Sequence, residues 1–89
     1  MFILACQNSD GLTQFTWSHE GYWQSDMAGH AKKDTIFECA ETCLEDDDCV
    51  AISYYPGSQE CHYWNDIDGS NTIKRSEFKA YIRCSGISG

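Results

Sequence analysis

Basic residues are scarce in this chain. Six Lys and Arg stand against fourteen Asp and Glu over 89 residues, a formal net charge of −8. That balance disfavours nucleic acid, heparin-like polyanions and anionic membrane surfaces as primary partners. Long apolar runs are also missing. Nothing approaches the roughly 20 apolar residues a membrane-spanning helix needs, so membrane insertion is not expected. The apolar stretch before Cys6 is too short for a signal peptide, so the chain reads as a module of a longer secreted or cell-surface protein. There is one proline, no repeat, no low-complexity tract and no linker. No N-x-[ST] sequon occurs. No G-x-S-x-G elbow surrounds any serine, and His19, His30 and His62 share no metal-ligand spacing, so neither hydrolytic chemistry nor a histidine metal centre is indicated.

Cysteine, by contrast, is abundant. Cys6, Cys39, Cys43, Cys49, Cys61 and Cys84 are separated by 32, 3, 5, 11 and 22 residues. Structural zinc sites group their thiolates in close couples, often C-x2-C, which these spacings do not follow. An even number of cysteines in so short a chain indicates a disulfide framework and an oxidising, extracellular compartment. Cross-links also supply stability that a core this small does not provide alone. With every thiol committed, none remains as a nucleophile. Six cysteines allow many pairings, and the spacing alone selects none.

One helix is predicted from about Thr35 to Glu45. Thr35 and Glu38 form a T-x-x-E capping box with Asp34 before it. Ile36, Cys39, Ala40 and Cys43 follow the i, i+3, i+4, i+7 spacing of a buried stripe. Cys49 to Tyr55 reads as a strand, Pro56 to Gln59 as a turn and Glu60 to Trp64 as the returning strand. Phe78, Ala80, Ile82 and Cys84 alternate with Lys79, Tyr81 and Arg83, so this stretch reads as a strand with the first set inward. Phe2 to Cys6, Thr13 to Trp17 and Gly21 to Gln24 are further strands, and Ser25 to Lys33 reads as loop. The expected fold is α+β: an antiparallel sheet of about five strands packed on a single α-helix, in one domain over residues 1–89.

The helix run Cys39-Ala40-Glu41-Thr42-Cys43, the strand from Cys49 to Tyr55 and the segment Glu60-Cys61-His62-Tyr63-Trp64 together resemble the PAN/apple domain family. The resemblance implies three disulfides, Cys6–Cys84, Cys39–Cys61 and Cys43–Cys49. It also implies a non-catalytic extracellular binding module whose partners are carbohydrates or proteins, and no obligatory cofactor.

Aromatic residues make up 13% of the chain and cluster in sequence, which gives a carbohydrate site its candidates. Sugar C–H faces stack on rings while neighbouring polar groups fix the hydroxyls. Phe15 to Trp23 interleaves rings with polar residues, and the central hairpin adds more. The candidates are Trp17, His19, Tyr22, Trp23, Tyr55, Tyr63 and Trp64; rings this large also fill cores. Should the partner be a protein, the charged stretch Lys74 to Arg83 or the acidic helix face is the expected docking surface. One loop has calcium-ligand spacing: Asp66, Asp68, Ser70, Thr72 and Glu77 occupy EF-hand positions 1, 3, 5, 7 and 12. Its flanks are wrong for that motif, because only four residues separate Cys61 from Asp66 and the exit reads as a strand. A plain hairpin loop is the preferred reading.

Overall fold

The computed structural model describes residues 11, 12 and 14–84. Five strands and one helix follow in the order β1 (Phe15–Trp23), β2 (Gly29–Lys32), α1 (Ile36–Leu44), β3 (Ala51–Tyr55), β4 (Glu60–Trp64) and β5 (Thr72–Arg83). The strands form a single sheet ordered β1-β5-β3-β4-β2, antiparallel throughout. The expected α+β class therefore holds, with α1 lying across β3 and β4 on one face.

The helix begins where its cap dictates. Thr35 has extended backbone and its hydroxyl accepts from the Glu38 amide at 3.2 Å, while Glu38 Oε1 accepts from the Asp34 amide at 3.1 Å. Cys39, Ala40 and Cys43 are buried as the periodicity requires. The two helix thiols leave in different directions. Cys39 is bonded to Cys61 in β4, and Cys43 to Cys49 just before β3. The Cys6–Cys84 pair lies outside the described residues because Cys6 does.

At its far end the helix is held by Arg83. The Nη1 of Arg83 donates to the carbonyls of Cys43, Asp46 and Cys49 at 3.3, 2.9 and 3.1 Å. A guanidinium there adds a charged donor to the Cys43 and Asp46 carbonyls, which already accept from backbone amides, and meets the negative end of the helix dipole.

Both faces of the sheet carry apolar side chains. On the helix face Phe15, Ile52, Tyr54 and Tyr81 pack with the four cysteines of the two bridges. On the other face Trp23, Ala51, Trp64 and Ala80 form a second cluster, flanked by Tyr22, Ile67 and Ile82. This corrects the reading of the last strand. Tyr81, expected to point outward, is fully buried beneath the helix, because β5 sits inside the sheet with a cluster on each side.

Three boundaries also differ from expectation. Gly29–Lys32, within a segment read as loop, pairs with β4 as the edge strand β2. Four residues are too few to show a period, and pairing with β4 rather than local preference makes the strand. β5 starts at Thr72, six residues earlier than Phe78. The two short strands expected around Trp17 and Gly21 are one, β1, with register breaks between Trp17 and His19 and between Glu20 and Gly21. The first break inserts Ser18 and turns the alternation over. Phe15 thus belongs to the helix-side cluster and Trp23 to the opposite one.

Candidate functional site

The second register break builds the site. Gly21 pairs with Lys74, yet its neighbour Glu20 pairs with Lys79, so residues 75–78 of β5 have no partner in β1. Gly21 makes this possible. Its φ is +144°, and a Cβ there would lie 1.8 Å from the Ile73 carbonyl oxygen, so only glycine fits. Phe78, the last residue of the excursion, lies on the same face as Ala80 and Ile82, the one α1 does not cover. Its ring meets Tyr22 edge-on at 5.1 Å, His62 edge-on at 5.6 Å and Tyr55 tilted at 5.0 Å.

Between the excursion, the centre of β4 and the segment after β1 lies an open cleft of about 500 Å³. Tyr22, Phe78, His62, Trp64 and Met27 supply its rings and apolar surface, and Asp26, Arg75 and Glu77 its charges. Trp64 is almost fully buried. It packs edge-to-face on Trp23 at 5.2 Å, and its Nε1 donates to the Ser25 carbonyl at 2.9 Å. That bond ties the segment carrying Asp26 and Met27 to the sheet. His62 Nε2 lies 3.0 Å from Glu60 Oε1, which sets the imidazole plane. Hydrogen bonds from Ser58 and then His62 hold the Glu60 carboxyl below the usual glutamate range, and the His62 and Lys32 charges act in the same direction.

A second hollow adjoins the first, lined by Trp17, His19, Glu20, Lys74, Arg75 and Ser76. Arg75 borders both. His19 is fixed in place. Its Nε2 lies 3.1 Å from the Tyr22 carbonyl, which can only accept, so in the neutral ring Nδ1 receives the Ser18 hydroxyl 2.7 Å away. Trp17 is 41% exposed and is braced edge-on by Tyr81 at 5.4 Å.

Of the residues proposed from sequence, Tyr22, Trp23 and Trp64 come together in the cleft, with Trp23 almost wholly core. Trp17 and His19 line the neighbouring hollow. Tyr55 supports Phe78 from behind. Tyr63 is elsewhere: it packs with the helix-side cluster, its hydroxyl close against Gly29. Phe78, His62, Met27, Asp26 and Arg75 were not among the carbohydrate-site candidates, though Arg75 and Phe78 fall within the stretch from Lys74 to Arg83 expected to dock a protein. Alternation puts Phe78 on the face of Ala80 and Ile82, where it lies, but nothing in the sequence reveals that residues 75–78 leave β1 and that a cleft opens there.

The residues with calcium-loop spacing are distributed differently from an EF-hand. Asp68 accepts from the Ser70 amide and hydroxyl and from Asn71 Nδ2, at 3.0, 2.7 and 3.2 Å, so its carboxylate closes a turn. The Ser70 bonds hold its carboxyl below the usual aspartate range. Thr72 and Glu77 lie along β5, where the chain is extended rather than curled around a centre. Asp66, Asp68 and Glu77 do not gather, and no group of three or more His, Cys, Asp or Glu side chains able to hold a metal ion occurs among the described residues. No helix among them is long and apolar enough to cross a membrane. Of the charged stretch at the C-terminal side, Arg83 is taken up by backbone carbonyls and is not part of an open patch.

A single helix bridged to the central hairpin by two disulfides, on a five-stranded antiparallel sheet, defines a small disulfide-stapled module. The PAN domain family model matches residues 14–87, and the chain belongs to that family. Its members are in general non-catalytic binding modules, and PAN domains with disulfides are typical of extracellular proteins. Comparison with curated proteins and with solved structures gives no match.

Proposed function

We propose that this domain is a non-catalytic carbohydrate-recognition module, one domain of a larger secreted or cell-surface protein, and that it binds saccharide in the cleft beneath Phe78. The observation that carries this reading is the combination in one open cavity of ring surfaces, from Phe78, Tyr22 and His62, with the carboxylates of Asp26 and Glu77 and the guanidinium of Arg75. Rings accept the C–H faces of a pyranose, and carboxylates and guanidinium take its hydroxyls in directed hydrogen bonds. The cleft is shallow and built on strands, which suits a ligand presented at the end of a glycan.

The test is a glycan array probed with oxidised protein, with calcium and again with chelator, alongside Phe78→Ala and Glu77→Gln. Array signal that falls in both variants, with melting temperature kept in Glu77→Gln, supports the cleft. Binding unchanged in both removes it, and signal lost on chelation alone assigns a role to calcium instead.

A protein-docking role has one observation in its favour. Phe37 on α1 is 51% exposed, beside the hollow formed by Leu12, Gln14 and Leu44. It predicts silence on the array and a partner interface that Phe37→Ser weakens.

A further inference from the structure

We infer that the saccharide is acidic, its carboxylate or sulfate seated between Lys74 and Arg75 beside the Trp17 indole. This rests on the reading of the adjoining cleft as a carbohydrate site.

The chain has six cations; Lys33 borders neither hollow, and the positions of the other five separate them. Arg83 is spent on three backbone carbonyls. Lys79 faces Glu20 at 3.9 Å, and Lys32 donates to the Ser58 carbonyl. The side chains of Lys74 and Arg75 make no hydrogen bond or ion pair among the described residues. They are consecutive, and both border the hollow walled by Trp17. Neither cation has a partner among the described side chains, and an anion in the hollow both border would supply one. The remaining charge in the hollow, Glu20, is the one facing Lys79.

The neighbouring cleft has the opposite character. Asp26 and Glu77 flank it, so an anionic substituent is disfavoured there and favoured on the Trp17 side. Arg75 borders both spaces and supplies the bidentate geometry that a carboxylate or sulfate accepts. A ligand with its ring under Phe78 and its charge toward Lys74 therefore spans the register break. The acidity of the chain as a whole favours a ligand with one such group over an extended polyanion.

The experiment is an array of matched glycans, each neutral structure beside its sialylated, uronic-acid and sulfated counterparts, probed with wild type and Lys74→Gln. Acidic members are expected to bind about tenfold better than their neutral counterparts, the scale of one charge-assisted hydrogen bond. Lys74→Gln should remove most of that preference and leave neutral binding in place, because Lys74 does not border the cleft. The preference should also shrink in high salt. Whether carboxylated or sulfated members lead identifies the source of the charge. Equal binding of matched pairs, or a preference that survives Lys74→Gln, overturns the inference and leaves the cleft intact. Silence across the whole array overturns both.

Discussion

The Ser53 hydroxyl donates to the Gly21 carbonyl at 2.6 Å, joining two strands that are not neighbours in the sheet. Ser53 is fully buried at the centre of β3, and Gly21 marks the break in β1. The bond lies at the edge of the break: Ser53 pairs with Ala80 of β5, and the next residues of that strand toward its start, from Phe78 back to Arg75, have no partner in β1. It supplies the displaced backbone with a donor that regular pairing would have provided. Ser53→Ala should cost about 1–3 kcal/mol, measured by urea denaturation, since it leaves a buried carbonyl unsatisfied.

Gly21 itself should tolerate no side chain. Gly21→Ala sets a Cβ against the Ile73 carbonyl at a φ reserved for glycine, and should destabilise the fold by about 3 kcal/mol or more. In protein that still folds, the cleft should lose ligand binding as well. A variant with wild-type stability would show that the register break does not depend on this glycine.

The two described bridges should differ in worth. Cys39–Cys61 closes 22 residues and Cys43–Cys49 closes 6. Chain-entropy estimates give about 3 kcal/mol for the first and about 2 kcal/mol for the second. Paired Cys→Ala replacements compared by denaturant midpoint should preserve that order. The first also links α1 to β4, so its loss should loosen the helix in hydrogen exchange.

Arg83→Met keeps the apolar stem and removes three hydrogen bonds to backbone carbonyls. The expected loss is about 1.5–3 kcal/mol by thermal or chemical unfolding, because the carbonyls at the helix exit lose a charged donor. Lys74→Met should be close to neutral in the same assay, since that side chain makes no hydrogen bond or ion pair among the described residues.

Glu60 gives stability an acid limb. Its folded pKa is depressed, so its contribution is complete above the unfolded glutamate value and is lost as pH falls through the folded one. Wild type should therefore lose more melting temperature than Glu60→Gln between about pH 6 and about pH 3. The carboxylate is partly exposed, so the difference should narrow as salt is added. Identical acid profiles would show that the contact with Ser58 and His62 adds nothing.

Much of this architecture is legible in the residues. The helix announces itself because cap and stripe agree: Thr35 and Glu38 close its start, and Cys39, Ala40 and Cys43 fall on one side. The central hairpin is legible for a similar reason, since two β-rich runs flank Pro56 to Gln59. What resists reading is anything set by partner strands. Gly29 to Lys32 becomes a strand only because β4 offers an edge. Alternation counting assumes an unbroken register, and here one inserted residue at Ser18 and four at 75–78 break it. The site suffers most from this. Its aromatic walls, Tyr22 and Trp64, were visible as rings. Phe78 and Arg75 share the cleft with them, and the unpaired stretch of β5 that carries both has no signal in the sequence.

The excursion from Arg75 to Phe78 is anchored on both sides, by the pairs from Gly21 to Trp23 before it and from Phe15 to Glu20 after it. If the proposed cleft is the binding site, then three of those four residues, 75, 77 and 78, line it without taking part in the β1–β5 ladder. Substitutions at Arg75 and Glu77 would then alter what the domain binds while the ladder on either side keeps its pairing. Phe78 is the exception, because its ring is also packed on Tyr22, Tyr55 and His62.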